Sequence, residues 1–187
     1  PGDWIVPTNI VVERAPSKPR KDGRVSALSK GLAPVPEDAL IALRELGAVA
    51  IPVGQNNNLL RVDFELVGGE IGDVQLGLIA PLSKHITILG LSRTKVTDSG
   101  LARLQRLPNI TQLNLGYTQI TDASLEWIAT LENLESLNII NTNVSDSGLK
   151  SLERLPHLRR VFAWRSQISR AGAEQLENMN SGVQVDL

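Results

Sequence analysis

The side chains best suited to chemistry are few and scattered. His85 and His157 are the only imidazoles, and there is no cysteine. Without thiols the chain forms no disulfide, no thiolate metal site and no c-type haem attachment. The two histidines close different segments far apart in sequence, so they read as surface-loop residues rather than a metal pair or a catalytic pair. Asp98, Asp122 and Asp146 recur at one fixed spacing. Carboxylates act as acid and base only where unlike environments push their pKa values apart, and equivalent positions of a repeat supply like environments. That row reads as structural. No phosphate loop, dinucleotide fingerprint, zincin motif or nucleophile elbow occurs. Asn109-Ile-Thr and Asn143-Val-Ser are formal glycosylation sequons. The expectation is a protein that is not an enzyme, with no catalytic residue, metal ligand or cofactor of its own.

The elements that would position any site follow from a repeat. ITILGLSRTKVTDSGLARLQRLPN, residues 86–109, recurs as ITQLNLGYTQITDASLEWIATLEN, LESLNIINTNVSDSGLKSLERLPH and LRRVFAWRSQISRAGAEQLENMNS. A degenerate copy precedes it, in which Phe64, Leu66, Ile71, Leu76, Ile79 and Leu82 match Leu89, Leu91, Val96, Leu101, Leu104 and Leu107. The blocks are 61–85, 86–109, 110–133, 134–157 and 158–181, a stacked solenoid. In each, an L-x-L run of period two marks a short strand and an L-x-x-L-x-x-L run marks a helix. Thr97/Asp98, Thr121/Asp122 and Ser145/Asp146 stand where helix N-caps belong, their oxygens free to take the first-turn N–H groups. Thr94, Thr118, Thr142 and Ser166 form one hydroxyl per turn, placed to bond turn backbone inside the stack. Strands stack at about 4.8 Å while helices are about 10 Å across. The helical side must therefore splay, which predicts an arc with parallel strands on the concave face and helices on the convex one.

Ahead of the repeats, residues 1–35 carry Pro1, Pro7, Pro16, Pro19 and Pro34 and the run APSKPRKDGR, the composition of an extended linker or tail. Trp4, Ile5, Val6, Ile10, Val11 and Val12 are its apolar exceptions, able to add a strand or to dock. Residues 36–60 form a cap: a helix opening at Pro36, with Leu40, Leu43 and Leu46 on one face, stopped by Gly47, then a strand over Val49, Ala50 and Ile51. A net charge of −1 offers no electrostatic reason to expect nucleic acid. No apolar run is long enough for a membrane helix, and a start at Pro1 rather than Met suggests a processed product or a piece of something longer.

The L-x-x-L-x-L-x-x-T-x-[IV]-T-D-x-x-L pattern over 61–187 resembles bacterial leucine-rich repeat proteins, an α/β fold. ALRELGAVAIPV, NNNLLRVDFELV, IGDVQLGLIAPL and VFAWRSQISRAGAEQL are more narrowly similar to the C-terminal repeat module of envelope-anchored proteins with an upstream c-type cytochrome domain. The resemblance implies a soluble domain of the cell envelope, periplasmic or outward-facing, inside a larger cytochrome-containing polypeptide. The haem motif is missing, so haem is carried over to no residue.

On a solenoid the positions alternating with core leucines line the concave wall. Here they pass from Asp63 and Glu65 through small and polar residues to Arg160, Phe162 and Trp164. Tyr117, Ile140, Arg160, Phe162, Trp164 and Arg165 are the candidate partner-binding residues, since exposed aromatics and arginines anchor interfaces. The competing role for Phe162 and Trp164 is to fold over the last strand as a C-terminal cap. The functional expectation is a non-catalytic protein-interaction module with a protein partner. The alternative is a scaffold for an electron-transfer protein or enzyme whose chemistry lies in missing residues or in a partner.

Overall fold

The computed structural model describes residues 23–55, 57–102 and 107–187. Trp4–Val6, Ile10–Val12 and Leu104 lie outside the described residues. Seven strands form one sheet in chain order: β1 Val49–Pro52, β2 Leu60–Asp63, β3 Ile86–Gly90, β4 Gln112–Asn114, β5 Ser136–Asn138, β6 Arg160–Phe162 and β7 Gln184–Asp186. β1 runs antiparallel to β2, and every later pair is parallel. The register sets Leu89, Leu113, Leu137 and Val161 side by side, each almost wholly buried. Because strand side chains alternate between faces, Ile88, Gln112, Ser136 and Arg160 align on the opposite face.

After each strand the chain turns and returns through a short helix. These are α3 Asp98–Leu101, α4 Asp122–Ile128, α5 Asp146–Leu149 running into a 3₁₀ turn Lys150–Arg154, and α6 Arg170–Met179. The degenerate first repeat instead uses 3₁₀ turns Gly68–Glu70 and Gln75–Leu82. Gly77 and Pro81 explain this, since both are poor in an α-helix interior. Leu76, Ile79 and Leu82 still point inward and are buried.

Two hydrogen-bond ladders run along the stack, one within each turn and one between repeats. Along the turns, the hydroxyls of Thr94, Thr118, Thr142 and Ser166 donate to the carbonyls of Leu91 (2.7 Å), Leu115 (2.6 Å), Ile139 (2.7 Å) and Ala163 (2.6 Å). That is the expected hydroxyl ladder. The aspartates behave differently from expectation. Each serves the N-cap of the following repeat rather than its own first turn. Asp73 accepts from Thr97 N (2.9 Å) and Oγ1 (2.7 Å), and Asp98 from Thr121 N (2.9 Å) and Oγ1 (2.8 Å). Asp122 accepts from Ser145 N (2.7 Å) and Oγ (2.6 Å), and Asp146 from Ser169 N (2.7 Å) and Oγ (2.6 Å). The carboxylate's two oxygens thus clip one repeat to the next. The cap hydroxyls of Thr121 and Ser145 take the N–H groups of Ala123 and Ser147 themselves.

The N-terminal end is closed by α2 Glu37–Glu45, which follows Pro36 and places Glu37 and Asp38 in its first turn. Leu40 and Leu43 are buried and Leu46 is packed against the core. Gly47, at φ 82°, makes the left-handed turn into β1 that a side chain would strain. α2 packs across Gln75–Leu82 and so covers the first repeat.

Three local expectations need correction. Within the expected extended tail, Gly23–Ser29 is a helix, α1; this window lies between Pro19 and Pro34 and contains no proline, so local propensity prevails over the average of the segment. Leu66, expected in the core, is 85% exposed, and Val67 packs inward in its place. The extra residue of the first block shifts the turn by one position, with Phe64 accepting from both Val67 N and Gly68 N. His85 is no surface residue: it is buried, with Nδ1 2.9 Å from the Asn58 carbonyl, whereas His157 is exposed.

Candidate functional site

The concave wall is built from strand residues whose inward neighbours anchor them in the core. One row across the sheet reads Arg61, Ile88, Gln112, Ser136, Arg160, Gln184; the next reads Asp63, Gly90, Asn114, Asn138, Phe162, Asp186. In the second row three polar side chains are committed to backbone. Asp63, Asn114 and Asn138 accept from the N–H two residues on, in Glu65 (3.0 Å), Gly116 (3.1 Å) and Ile140 (2.9 Å). Phe162 occupies the same position without that role, leaving its ring on the wall, half-buried.

Beyond the strands a ridge of left-handed residues borders the wall: Arg93 (φ 61°), Tyr117 (φ 60°), Asn141 (φ 53°) and Arg165 (φ 59°). For residues with a Cβ this conformation costs about 1–2 kcal/mol each, so neighbouring bonds must enforce it. They do so through the N–H groups of Arg93, Tyr117 and Asn141, which donate to the carbonyls of Gly116 (2.9 Å), Ile140 (2.8 Å) and Trp164 (2.9 Å) one repeat on. The Arg93 guanidinium lies 4.6 Å from the Tyr117 ring centre and that of Arg165 lies 4.7 Å from the Trp164 ring. Such stacks contribute about 0.5–1 kcal/mol at exposed sites.

The six expected residues fall into two places. Arg160, Phe162, Trp164 and Arg165 share the sixth strand and its turn, and the register brings Ile140 beside Trp164. Tyr117 stands two repeats away along the ridge, under Arg93. Trp164 is 50% exposed and Tyr117 38%. The alternative role of Phe162 and Trp164 as a cap over the last strand meets a sheet in which β6 is not last: β7 pairs along it, and Val183, just before β7, is buried. Arg93 was missed. Its signal was available, since it occupies the same position in its repeat as Tyr117 and Arg165.

Charge on the wall is uneven. At the N-terminal end Arg61 pairs with Asp63 at 3.1 Å and Arg93 with Glu65 at 3.6 Å, so the acidic end expected from sequence is neutralised. The middle is uncharged. At the C-terminal end Arg160 makes no ion pair among the described residues, and Asp186, beside Phe162, is engaged by the Gln184 amide at 3.1 Å. Among the described residues no three His, Asp or Glu converge to hold a metal ion.

The parallel ladder, one strand and one helical segment per block, and the inward leucines agree with the family description "Leucine Rich repeat", whose model matches residues 106–129. The fold is a leucine-rich repeat solenoid. Among solved structures, a leucine-rich repeat protein of Leptospira interrogans is 19% identical over 58% of this chain and 27% of its own, with a TM-score of 0.45. Internalin C2 of Listeria monocytogenes is 28% identical over 58% of this chain and 45% of its own, TM-score 0.44. The leucine-rich repeat ectodomain of a receptor kinase from Arabidopsis thaliana is 13% identical over 83% of this chain and all of its own, TM-score 0.39. This chain spans less than half the length of the two bacterial proteins. A search of curated proteins gives no match. Leucine-rich repeat domains in general mediate protein–protein interaction and are typically non-enzymatic. No helix among the described residues is long and apolar enough to cross a membrane.

Proposed function

We propose that this chain is a protein-binding module whose concave wall seats a protein partner, and that it works as part of a larger cell-envelope polypeptide. The observation that carries the reading is the ridge and wall at β6: two aromatic rings and two guanidiniums held outward on backbone that hydrogen bonds keep in place. A rigid surface loses little entropy when a partner docks, and aromatic and arginine side chains are the types that dominate interface energetics. The envelope and cytochrome context is supported by the likeness of the cap and last repeat to modules of that kind. On this reading any haem of the larger polypeptide lies outside this chain, which has no cysteine to attach it.

Site-specific photo-crosslinking tests the reading. A photoreactive residue is placed at Gln112 or Phe162 on the wall, and at Glu126, exposed on α4, as the convex control. In the native host, protein adducts should form from the wall positions. Adducts from Glu126 alone, or from no position, would refute it.

A further inference from the structure

Resting on that reading, we infer that the occupant of the C-terminal end of the wall is an acidic, apolar-bearing extended segment of the partner, with a carboxylate on the Arg160 and Arg165 guanidiniums and an apolar side chain between Phe162 and Trp164. The argument is one of charge and geometry. Of the arginines facing the wall, Arg61 and Arg93 already have carboxylate partners at 3.1 Å and 3.6 Å. Arg160 has none among the described residues and is exposed. Arg165 is stacked on Trp164 at 4.7 Å, which occupies the face of its guanidinium. The donors of a guanidinium lie in its plane, so the stack leaves them pointing outward for a carboxylate while holding the group in place. Phe162 follows Arg160 by two strand residues, about 7 Å along the same face. Successive same-face side chains of an extended peptide have that spacing too, so an acidic residue and an apolar one placed two apart fall on Arg160 and Phe162 together. Asp186 does not cancel the site: among the described residues it makes no ion pair with Arg160 or Arg165, and its hydrogen bond comes from the Gln184 amide. Aromatics with arginines also suit single-stranded nucleic acid, but a net charge of −1 supplies none of the long-range attraction such a ligand relies on.

The probes are three labelled molecules followed by fluorescence anisotropy with the full chain: a short peptide alternating Glu with Leu and Phe, its counterpart with Lys for every Glu, and a single-stranded oligothymidine. The acidic peptide should bind and the other two should not. Arg160→Glu and Arg165→Glu should each weaken it by about tenfold or more, as expected when a charge-assisted contact becomes a like-charge one. Arg44→Glu, on the cap helix, makes the same change in net charge and should leave binding intact. Arg160→Gln and Arg165→Gln serve if a charge reversal lowers the melting temperature, with the same direction expected. Equal binding of the lysine peptide, equal loss in Arg44→Glu, or preferential binding of the oligothymidine would each overturn the inference. If wall crosslinks form but the acidic peptide does not bind, this assignment fails and the protein-binding reading stands. If no wall crosslink forms, the reading itself has failed.

Discussion

At the residue scale the decisive group is the aspartate that begins α3, α4 and α5, with Asp73 at the same place in the first repeat. Its carboxylate reaches into the next repeat, and whatever stands third in that repeat's helix must make room. A Cβ on Gly148 would lie 2.6 Å from Asp122 Oδ1, and Gly100 and Gly172 meet Asp73 and Asp146 in the same way. At the matching position of α4 stands Ser124, whose hydroxyl bonds Asp98 instead. Gly148→Ala should therefore cost about 1–3 kcal/mol by overpacking, whereas Gly77→Ala, with nothing near its would-be Cβ, should be close to neutral; urea titration of both variants checks this. The same ladder sets a pH dependence. For Asp98 the largest single influence is burial, which opposes ionisation, yet hydrogen bonds from Ser124 and Thr121 together outweigh it and the pKa falls below its ordinary 3.8. For Asp146 the Ser169 hydroxyl and then its N–H lower the pKa, against a small opposing effect of burial. A pKa lowered on folding means that the unfolded chain binds more protons. The stabilisation is complete above the unfolded value, about 3.9, and is lost as pH falls through the folded one. Stability should fall as pH drops below about 4, and Asp98→Asn/Asp146→Asn should be weaker at neutral pH but lose less on acidification. Parallel pH curves for the two proteins would contradict this. The threonine ladder was legible in sequence because each hydroxyl bonds within its own turn. The aspartate's partners were not, because its donors lie one repeat away and only the stacking register brings them into reach.

At the element scale, β3 to β6 were legible to within a few residues because core leucines at period two leave no other face to bury, whereas β2 lies just before the Phe64/Leu66 pair expected to mark it and β7, beyond the last full block, was not expected. Helices were less so. The apolar spacing of QLGLIAPL and of LKSLERL fits either helix type, and backbone chemistry such as Pro81 decides for 3₁₀. The inward leucines carry the energetics: Leu115, just past β4, is fully buried between repeats, so Leu115→Ala should cost about 2–5 kcal/mol, while Gln112→Ala on the exposed wall should cost little. Similar melting shifts would mean that the faces are assigned the wrong way round. β7 poses a different problem, since among the described residues its outer edge has no strand beside it, and unpaired edges invite association. Glu177 on α6 addresses this. Its carboxylate accepts the Val185 N–H at 2.7 Å. Glu177→Ala should expose that N–H, seen as faster amide exchange at Val185, and Glu177→Gln, which keeps an acceptor, should restore protection. Unchanged exchange in the alanine variant would show that the contact does not cap the edge. The candidate site was legible as a list of residues but not as a cluster. That Tyr117 stands apart with Arg93, and that the acidic end is neutralised, depend on side-chain reach between repeats, which spacing alone does not reveal.

At the scale of the whole molecule the solenoid has two unlike ends. The N-terminal end is covered by α2 and by β1, which turns antiparallel and carries Pro52 at the sheet's edge. The C-terminal end is thinner. Arg170 takes the place of the ladder aspartate, so the carboxylate clips stop at Asp146, and the apolar cover is Val183, just before β7, and the half-buried Val185 within it. In a stacked array each repeat is stabilised chiefly by its neighbours, so resistance to opening should fall toward the end with the weaker neighbour. Native-state amide exchange tests this directly. Amides of Leu113, Leu115, Leu137 and Ile139, flanked by repeats on both sides, should exchange only through global unfolding and share one denaturant dependence. Those of Val183 and Val185 should exchange through a local opening with little denaturant dependence. The proposed partner site at β6 lies one strand in from this end, next to the element expected to open most readily. A ligand seated on Arg160 and Phe162 should therefore slow exchange at Val161 and Ala163 more than at Leu89 or Leu91, and uniform slowing along the sheet would mean that the array opens as a single unit.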